Sequence, residues 1–113
     1  MPDITKKIND ISRCWKLIDA QYAHDSHGHK AGETRVDGRY PTRIGSTYSC
    51  LSFVGVGFTV IMPYFKNNQG GNRTGYVTTS NLVSLDEPQT VGGKTILRFT
   101  TLNTVYTLEA VEE

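Results

Sequence analysis

The chain has 113 residues, enough for one domain with a hydrophobic core but not for two. Twelve Lys and Arg residues oppose eleven Asp and Glu residues, and this net charge of +1 argues against a dedicated polyanion binder and against an acidic mimic of DNA. The first residues lack the apolar core of a secretion signal, and the longest apolar run, residues 53–64, is too short to span a bilayer. We therefore expect a soluble, cytoplasmic protein without a membrane partner.

A change in composition near residue 24 divides the chain. All eleven glycines follow this point, and the only proline before it is Pro2. This distribution is typical of a helical segment followed by strands and turns. We predict a single domain over residues 1–113, made of a helix over 1–23, a polar loop and edge strand over 24–45, and an antiparallel sheet or barrel over 46–111.

Apolar residues recur at helical spacing in the first segment. They are Ile4, Ile8, Ile11, Trp15, Ile18 and Tyr22. This single stripe predicts an amphipathic helix, with Asp3 as its N-cap, that covers one face or the open end of a sheet. Residues 14–18 fit a short strand equally well.

The polar loop that follows contains all three histidines of the chain. They lie within six residues, beside Asp25. Imidazole is a common zinc ligand, so His24, His27 and His29 are candidate zinc ligands if the loop folds back on itself. Their spacing matches no zinc-finger, metalloprotease or cupin pattern, and a flexible loop preorganises ligands poorly. A solvated loop without a cofactor is therefore the interpretation that we favour.

Basic residues gather in the second half of this loop. They are Lys30, Arg35, Arg39 and Arg43. Tyr40 lies among them, and only Glu33 and Asp37 oppose them. Small barrels bind nucleic acid on one face, so this patch is a candidate phosphate-binding surface. An ordinary solvated loop and edge strand with alternating charges is the interpretation that we favour.

The remaining segment has the alternation and glycine content of bent β-structure. Residues 47–54 and 56–65 are the most apolar stretches, and Gly55 and Gly57 between them indicate a bulge or sharp bend. Shorter strands are predicted over 76–79 and 82–85. Residues 94–111 alternate on both sides of a central corner, which predicts a β-hairpin.

These elements together predict the fold class. We expect an α+β, mainly β protein in which the N-terminal amphipathic helix packs on a strongly bent antiparallel sheet or small SH3-like barrel of about five or six strands.

Catalytic signatures are absent from the sequence. Cys14 and Cys50 are too few and too far apart for a secreted disulfide scaffold, so we expect buried thiols in a reducing cytosol. Neither cysteine lies in a recognisable nucleophile motif, and no glycine-rich phosphate loop precedes a helix. We predict no catalytic residue and no enzymatic activity.

Two stretches in the last third of the chain resemble a pattern in small bacteriophage and prophage proteins. Residues 78–85 read Thr-Thr-Ser-Asn-Leu-Val-Ser-Leu, and residues 100–108 read Thr-Thr-Leu-Asn-Thr-Val-Tyr-Thr-Leu. In those proteins a strand of the form T-S-x-hydrophobic-V-x-hydrophobic is followed by T-x-N-S/T-x-Y-x-hydrophobic. The resemblance implies a barrel-like module, and no catalytic residue carries over from it.

The resemblance also implies a function and a location. Small phage accessory proteins act in the cytoplasm of a bacterial host by binding a host protein, and some inhibit host defence systems. Tyrosine and arginine are favoured anchors at such interfaces. The candidate partner-binding residues are Arg39, Tyr40, Arg43, Tyr48 and Tyr64. A nucleic-acid-binding barrel that uses the 30–43 patch is the first alternative, and a virion structural component is the second; the oligomeric state is open.

Overall fold

The computed structural model of the chain describes residues 14–25, 28–49, 51–53 and 55–111. Within these ranges the protein is mainly β, with eight strands and one short helix. The elements are β1 (Cys14–Tyr22), α1 (Tyr40–Arg43), β2 (Thr47–Ser49), β3 (Ser52–Phe53), β4 (Thr59–Lys66), β5 (Tyr76–Leu85), β6 (Gln89–Val91), β7 (Lys94–Thr101) and β8 (Thr104–Val111). No helix in the described ranges has the length and apolar character that crossing a bilayer requires.

All strand pairs are antiparallel, and their order is β2-β1-β8-β7-β5-β4-β3, with β6 paired to β7. β2 pairs with β1 on one side and with β4 on the other. Tyr48, its central residue, lies opposite Trp15 of β1 and opposite Tyr64 of β4. The path β1-β8-β7-β5-β4-β2 therefore returns to β1.

The predicted hairpin over residues 94–111 is confirmed as β7 and β8. Their register runs from Ile96 opposite Glu109 to Thr100 opposite Val105. Leu97 and Phe99 are buried, whereas Arg98 between them is exposed, as the alternation requires. β8 pairs along its length with β1, so the hairpin connects β1 to the rest of the sheet.

The predicted N-terminal helix is wrong where the structure describes it, because residues 14–22 form strand β1. A β-bulge between Leu17 and Asp19 shifts the alternation, and the buried residues fall at 15, 17, 20 and 22. Trp15 and Tyr22 are seven residues apart, like two turns of a helix, although both point inward from a strand. Ile18, part of the predicted helical stripe, is 38% exposed. Residues 1–13, including Asp3, Ile4, Ile8 and Ile11, lie outside the described residues.

The loop between β1 and β2 also differs from the expectation. The edge strand predicted around Pro41 is instead helix α1, with Pro41 in its first turn, where a missing N–H costs nothing. Two bonds fix the end of this loop to β1: the Gly45 N–H donates to the Leu17 carbonyl at 2.7 Å, and the Leu17 N–H donates to the Ser46 carbonyl at 3.0 Å. Further along the chain, the predicted strands 76–79 and 82–85 are one continuous strand, β5.

Aromatic side chains fill the centre of the core. The Phe99 ring stacks on Tyr106 at 4.9 Å and meets the edge of Phe53 at 5.3 Å between ring centroids. Trp15 and Leu17 of β1 belong to the same buried cluster. β1 and β8, the first and last described strands, thus share one core with strands from the middle of the chain, because the strand path returns to β1.

We expect Phe99→Ala to lower the free energy of unfolding by about 3–5 kcal/mol, because the substitution removes a buried ring and leaves a cavity between Tyr106 and Phe53. Urea unfolding followed by Trp15 fluorescence measures this change.

Leu102→Ala is the control, since Leu102 is 55% exposed at the β7–β8 corner. Its free energy of unfolding should stay within about 0.5 kcal/mol of the parent protein. Equal losses in the two variants would contradict the packing described above.

Candidate functional site

Arg35 connects the loop before α1 to the sheet. Its guanidinium carbon lies 5.0 Å from the Tyr22 ring centroid and 4.3 Å from the Tyr40 ring centroid. The same guanidinium donates to both carboxylate oxygens of Asp37, at 3.0 and 2.6 Å, and to Thr104 Oγ1 of β8 at 2.8 Å. The Arg35 side chain is only 16% exposed, so these contacts hold it in place.

The charge of Arg35 is compensated within the protein. Its hydrogen bonds hold the pKa of the Asp37 carboxyl well below its ordinary value. Tyr22 Oη also donates to this carboxylate at 3.1 Å. Arg35 is therefore a structural cation that fixes the loop, and little of its charge is free to attract an anion.

Tyr40 and Arg43 continue this cluster along α1. Tyr40 Oη is hydrogen-bonded to Thr104 Oγ1 at 3.1 Å and to Tyr106 Oη at 3.2 Å. The Arg43 guanidinium carbon lies 5.3 Å from the Tyr40 ring centroid. The Nε atom of Arg43 is buried, and no described residue provides an acceptor for it. Arg43 thus carries a partly buried charge that no described acidic side chain pairs with.

A second aromatic and basic group lies where β2 meets β4. The rings of Tyr48 and Tyr64 are 4.8 Å apart, and Tyr48 Oη donates to the Arg43 carbonyl at 3.3 Å. The Arg73 guanidinium carbon lies 3.9 Å from the Tyr64 ring centroid. Tyr48 is fully buried and Tyr64 is half-buried, so the Tyr48 ring packs against the buried side of the Tyr64 ring.

A close backbone contact brings the two groups together. Gly45, two residues after Arg43, has a φ of +93°, and a Cβ added to it would lie 3.3 Å from Cβ of Asn68. The loop after α1 therefore lies directly against the loop between β4 and β5. We call the resulting surface the tyrosine–arginine surface. It consists of Arg39, Tyr40, Arg43, Tyr64 and Arg73.

This part of the chain is free of acidic residues. Between Asp37 and Asp86 the sequence contains no Asp or Glu. It contains four cations, Arg39, Arg43, Lys66 and Arg73, and three of them belong to the tyrosine–arginine surface. The near-zero net charge of the whole protein therefore conceals a local excess of positive charge.

Four of the five residues predicted to bind a partner belong to this surface. Arg39 is exposed at the start of α1, and Tyr40, Arg43 and Tyr64 are half-buried. The fifth, Tyr48, has no exposed area and offers no contact in this conformation, because its side chain points into the core. Arg73 was missed by the sequence reasoning, although the acid-free run from residue 38 to residue 85 was visible there.

The four residues of the predicted phosphate-binding patch do not form one continuous basic surface. Arg39 and Arg43 lie together on α1, and Lys30 is exposed in the preceding loop. Arg35 is committed to Asp37 and to the two tyrosine rings. The patch is therefore divided by an internal ion pair.

The predicted zinc ligands lie in different surroundings. His24 is exposed, with Nδ1 3.2 Å from the Asp25 carbonyl, whereas the His29 ring stacks on Tyr22 at 4.8 Å with an angle of 10°. His27 lies outside the described residues. Among the residues that the structure describes, no three His, Cys, Asp or Glu side chains are grouped as metal ligands.

Comparisons with known proteins give no relative: no family model, no curated protein and no solved structure matches the chain.

We expect Arg35→Met to lower the free energy of unfolding by about 2–3 kcal/mol, because it removes charged hydrogen bonds to Asp37 and Thr104 and two contacts with tyrosine rings. Thermal and urea unfolding measure the loss.

Arg39→Met is the matched control, since Arg39 is exposed. Its effect should stay within about 0.5 kcal/mol. A similar effect of both substitutions would show that Arg35 does not fix the loop.

We expect alkaline pH to destabilise the protein through Tyr48 and Tyr106. Burial raises the pKa of both side chains, and Tyr64 and Tyr40 beside them raise it further. Because these pKa values lie above the unfolded value of about 10, the stabilisation is complete below pH 10 and is lost as the pH rises beyond it. Tyrosinate absorbance should therefore rise in two steps, the second coinciding with unfolding seen by circular dichroism.

Tyr76→Phe provides the comparison, because Tyr76 is 67% exposed. This substitution should leave the second absorbance step unchanged, whereas Tyr48→Phe should reduce it. A single step that is complete before unfolding would contradict the burial of these hydroxyl groups.

Proposed function

We propose that this protein is a binding module that acts on a host protein by docking through the tyrosine–arginine surface. The observation that carries the proposal is the local charge: three arginines of one surface lie in a stretch of the chain without any acidic residue. Such a surface attracts a partner that offers carboxylates.

The chemistry of the surface supports a protein partner. Arginine and tyrosine are enriched among the residues that contribute most to protein–protein binding. Arg43 is half-buried and pairs with no described acidic side chain, so a partner carboxylate would compensate a charge that the isolated protein leaves unpaired. The cation of Arg73 lies over the Tyr64 ring, which holds it in place before binding and reduces the entropy lost on docking.

Nucleic acid is the less favoured partner for the same surface. Binding of single strands depends on open aromatic faces on which bases stack. Arg43 lies near the Tyr40 ring and Arg73 near the Tyr64 ring, so protein cations already occupy space over both rings. The compensation of Arg35 by Asp37 also weakens the 30–43 patch as a site for phosphates.

We propose that the strand path that returns to β1 forms a small barrel, since β2 pairs with both β1 and β4. A barrel would keep α1 and the β4–β5 loop in fixed relative positions.

The resemblance of residues 78–108 to small bacteriophage and prophage proteins supports a bacterial host protein as the target, and inhibition of a host defence system in the host cytoplasm as the role.

The test is capture of a partner from bacterial lysate with tagged protein, with and without nuclease. We expect a specific protein that resists nuclease treatment. Its capture should fall at least about tenfold with Arg43→Gln/Arg73→Gln, and measurably with the exposed substitution Arg39→Gln, because each removes attraction for partner carboxylates. Circular dichroism checks that the variants are folded.

The control is Lys16→Gln/Lys94→Gln, which removes the same charge from two exposed lysines outside the surface. Capture by this control should equal that of the parent protein. Equal losses in both double variants, or no nuclease-resistant partner, would contradict the proposal. Loss of all captured material on nuclease treatment would favour the nucleic-acid alternative.

A further inference from the structure

The outer side of β4 carries a patch of apolar side chains. Val60 and Met62 point into the core, so Ile61, Pro63 and Phe65, which alternate with them, point outward. Tyr76 of β5 lies opposite Pro63, and this places its side chain on the same outer side. We call this patch the β4–β5 face. It consists of Ile61, Pro63, Phe65 and Tyr76.

Three of the four side chains of this patch are exposed. Ile61 is 39% exposed, Phe65 is 42% exposed and Tyr76 is 67% exposed. Single exposed apolar residues are ordinary, but neighbours that form a continuous patch mark interaction sites. The pairing of Pro63 with Tyr76 and the alternation along β4 make these residues neighbours.

A partner cannot extend the sheet at β4, because both edges of this strand are already paired. β5 pairs with one edge at residues 59–63, and β3 and β2 pair with the other edge at residues 60–66. Strand addition requires a free edge. A partner must therefore lie across the face and contact its side chains.

The charge beside the patch is positive. Lys66 Nζ lies 5.5 Å from the Phe65 ring centroid. A second copy of the chain docked face to face would bring this lysine against its equivalent, which is unfavourable. A partner with acidic residues beside its apolar ones would instead complement the patch.

We propose that the β4–β5 face receives an acidic amphipathic helix of the partner protein, an inference that rests on the proposed function. Ile61, Pro63 and Phe65 are spaced at two-residue intervals along a strand, or about 6.6 Å. Positions i, i+4 and i+8 of a helix are spaced at about 6 Å along its axis. Three apolar residues of such a helix therefore match the three β4 positions, while its acidic residues face Lys66.

The experiment uses a display library of random 16-residue peptides selected on the intact protein. We expect enriched peptides to carry apolar residues at helical spacing together with Asp or Glu, and to gain helical circular dichroism on binding. Their affinity should fall at least tenfold with Ile61→Thr/Phe65→Thr. It should be unchanged with Val83→Thr/Val91→Thr, which alters two exposed apolar residues of β5 and β6.

Several results would overturn this inference. They are the absence of enriched peptides, enrichment without acidic residues, peptides bound in extended form, and affinities that ignore Ile61→Thr/Phe65→Thr. Phe65-dependent binding to vesicles of phosphatidylserine, without peptide enrichment, would identify an anionic membrane as the occupant instead.

Failure of this inference can be distinguished from failure of the proposed function. Suppose that the protein captured from lysate is lost with Arg43→Gln/Arg73→Gln but retained with Ile61→Thr/Phe65→Thr. The partner would then dock through the tyrosine–arginine surface alone, and only the helix on the β4–β5 face would be ruled out.

Discussion

The pairing of β2 with two strands at once is the constraint on which the other features depend. β2 has only three residues, yet Tyr48 at its centre lies opposite both Trp15 and Tyr64. Without this pairing β1 and β4 would be distant edges of an open sheet. With it, the loop that ends at Gly45 is held against Asn68 in the loop between β4 and β5. The tyrosine–arginine surface exists because these two loops meet, although Arg43 and Arg73 are thirty residues apart in the sequence.

The hairpin over residues 94–111 could be predicted because its alternation is regular and its corner is short. Strand β1 was foreseen only as an alternative over residues 14–18, because its bulge after Leu17 changes the inward positions from 15 and 17 before it to 20 and 22 after it. The resulting seven-residue spacing of Trp15 and Tyr22 is common to a helix and to a bulged strand, and periodicity alone cannot separate them. Only the tertiary partner of the segment, β8, decides between the two.

The residues of the tyrosine–arginine surface could be predicted only in part, for a related reason. Tyrosines and arginines near residue 40 are conspicuous in the sequence, but their burial depends on pairing partners far along the chain. In the sequence Tyr48 is as suitable an anchor as Tyr64, but in the structure its ring points into the core beside Trp15 and is fully buried. Arg73 was overlooked because it lies in a polar, glycine-rich loop, and its closeness to Tyr64 follows from the turn between β4 and β5. The local sequence shows which side-chain types are present, whereas the pairing of strands distant in the sequence decides which of them share a surface.

Arg35 and Arg43 differ in how their charges are compensated within the protein. Both guanidinium groups lie near the Tyr40 ring, and both side chains are partly buried. The hydrogen bonds of Arg35 to Asp37 and Thr104 offset the free-energy cost of removing its guanidinium from water. Arg43 has no such carboxylate among the described residues, so its desolvation is less well compensated in the isolated protein. A partner carboxylate at Arg43 would bring the same compensation that Asp37 brings to Arg35. The attraction would be strongest where water is already excluded, and it would therefore favour a partner whose acidic residue is surrounded by apolar ones over a partner with diffuse negative charge.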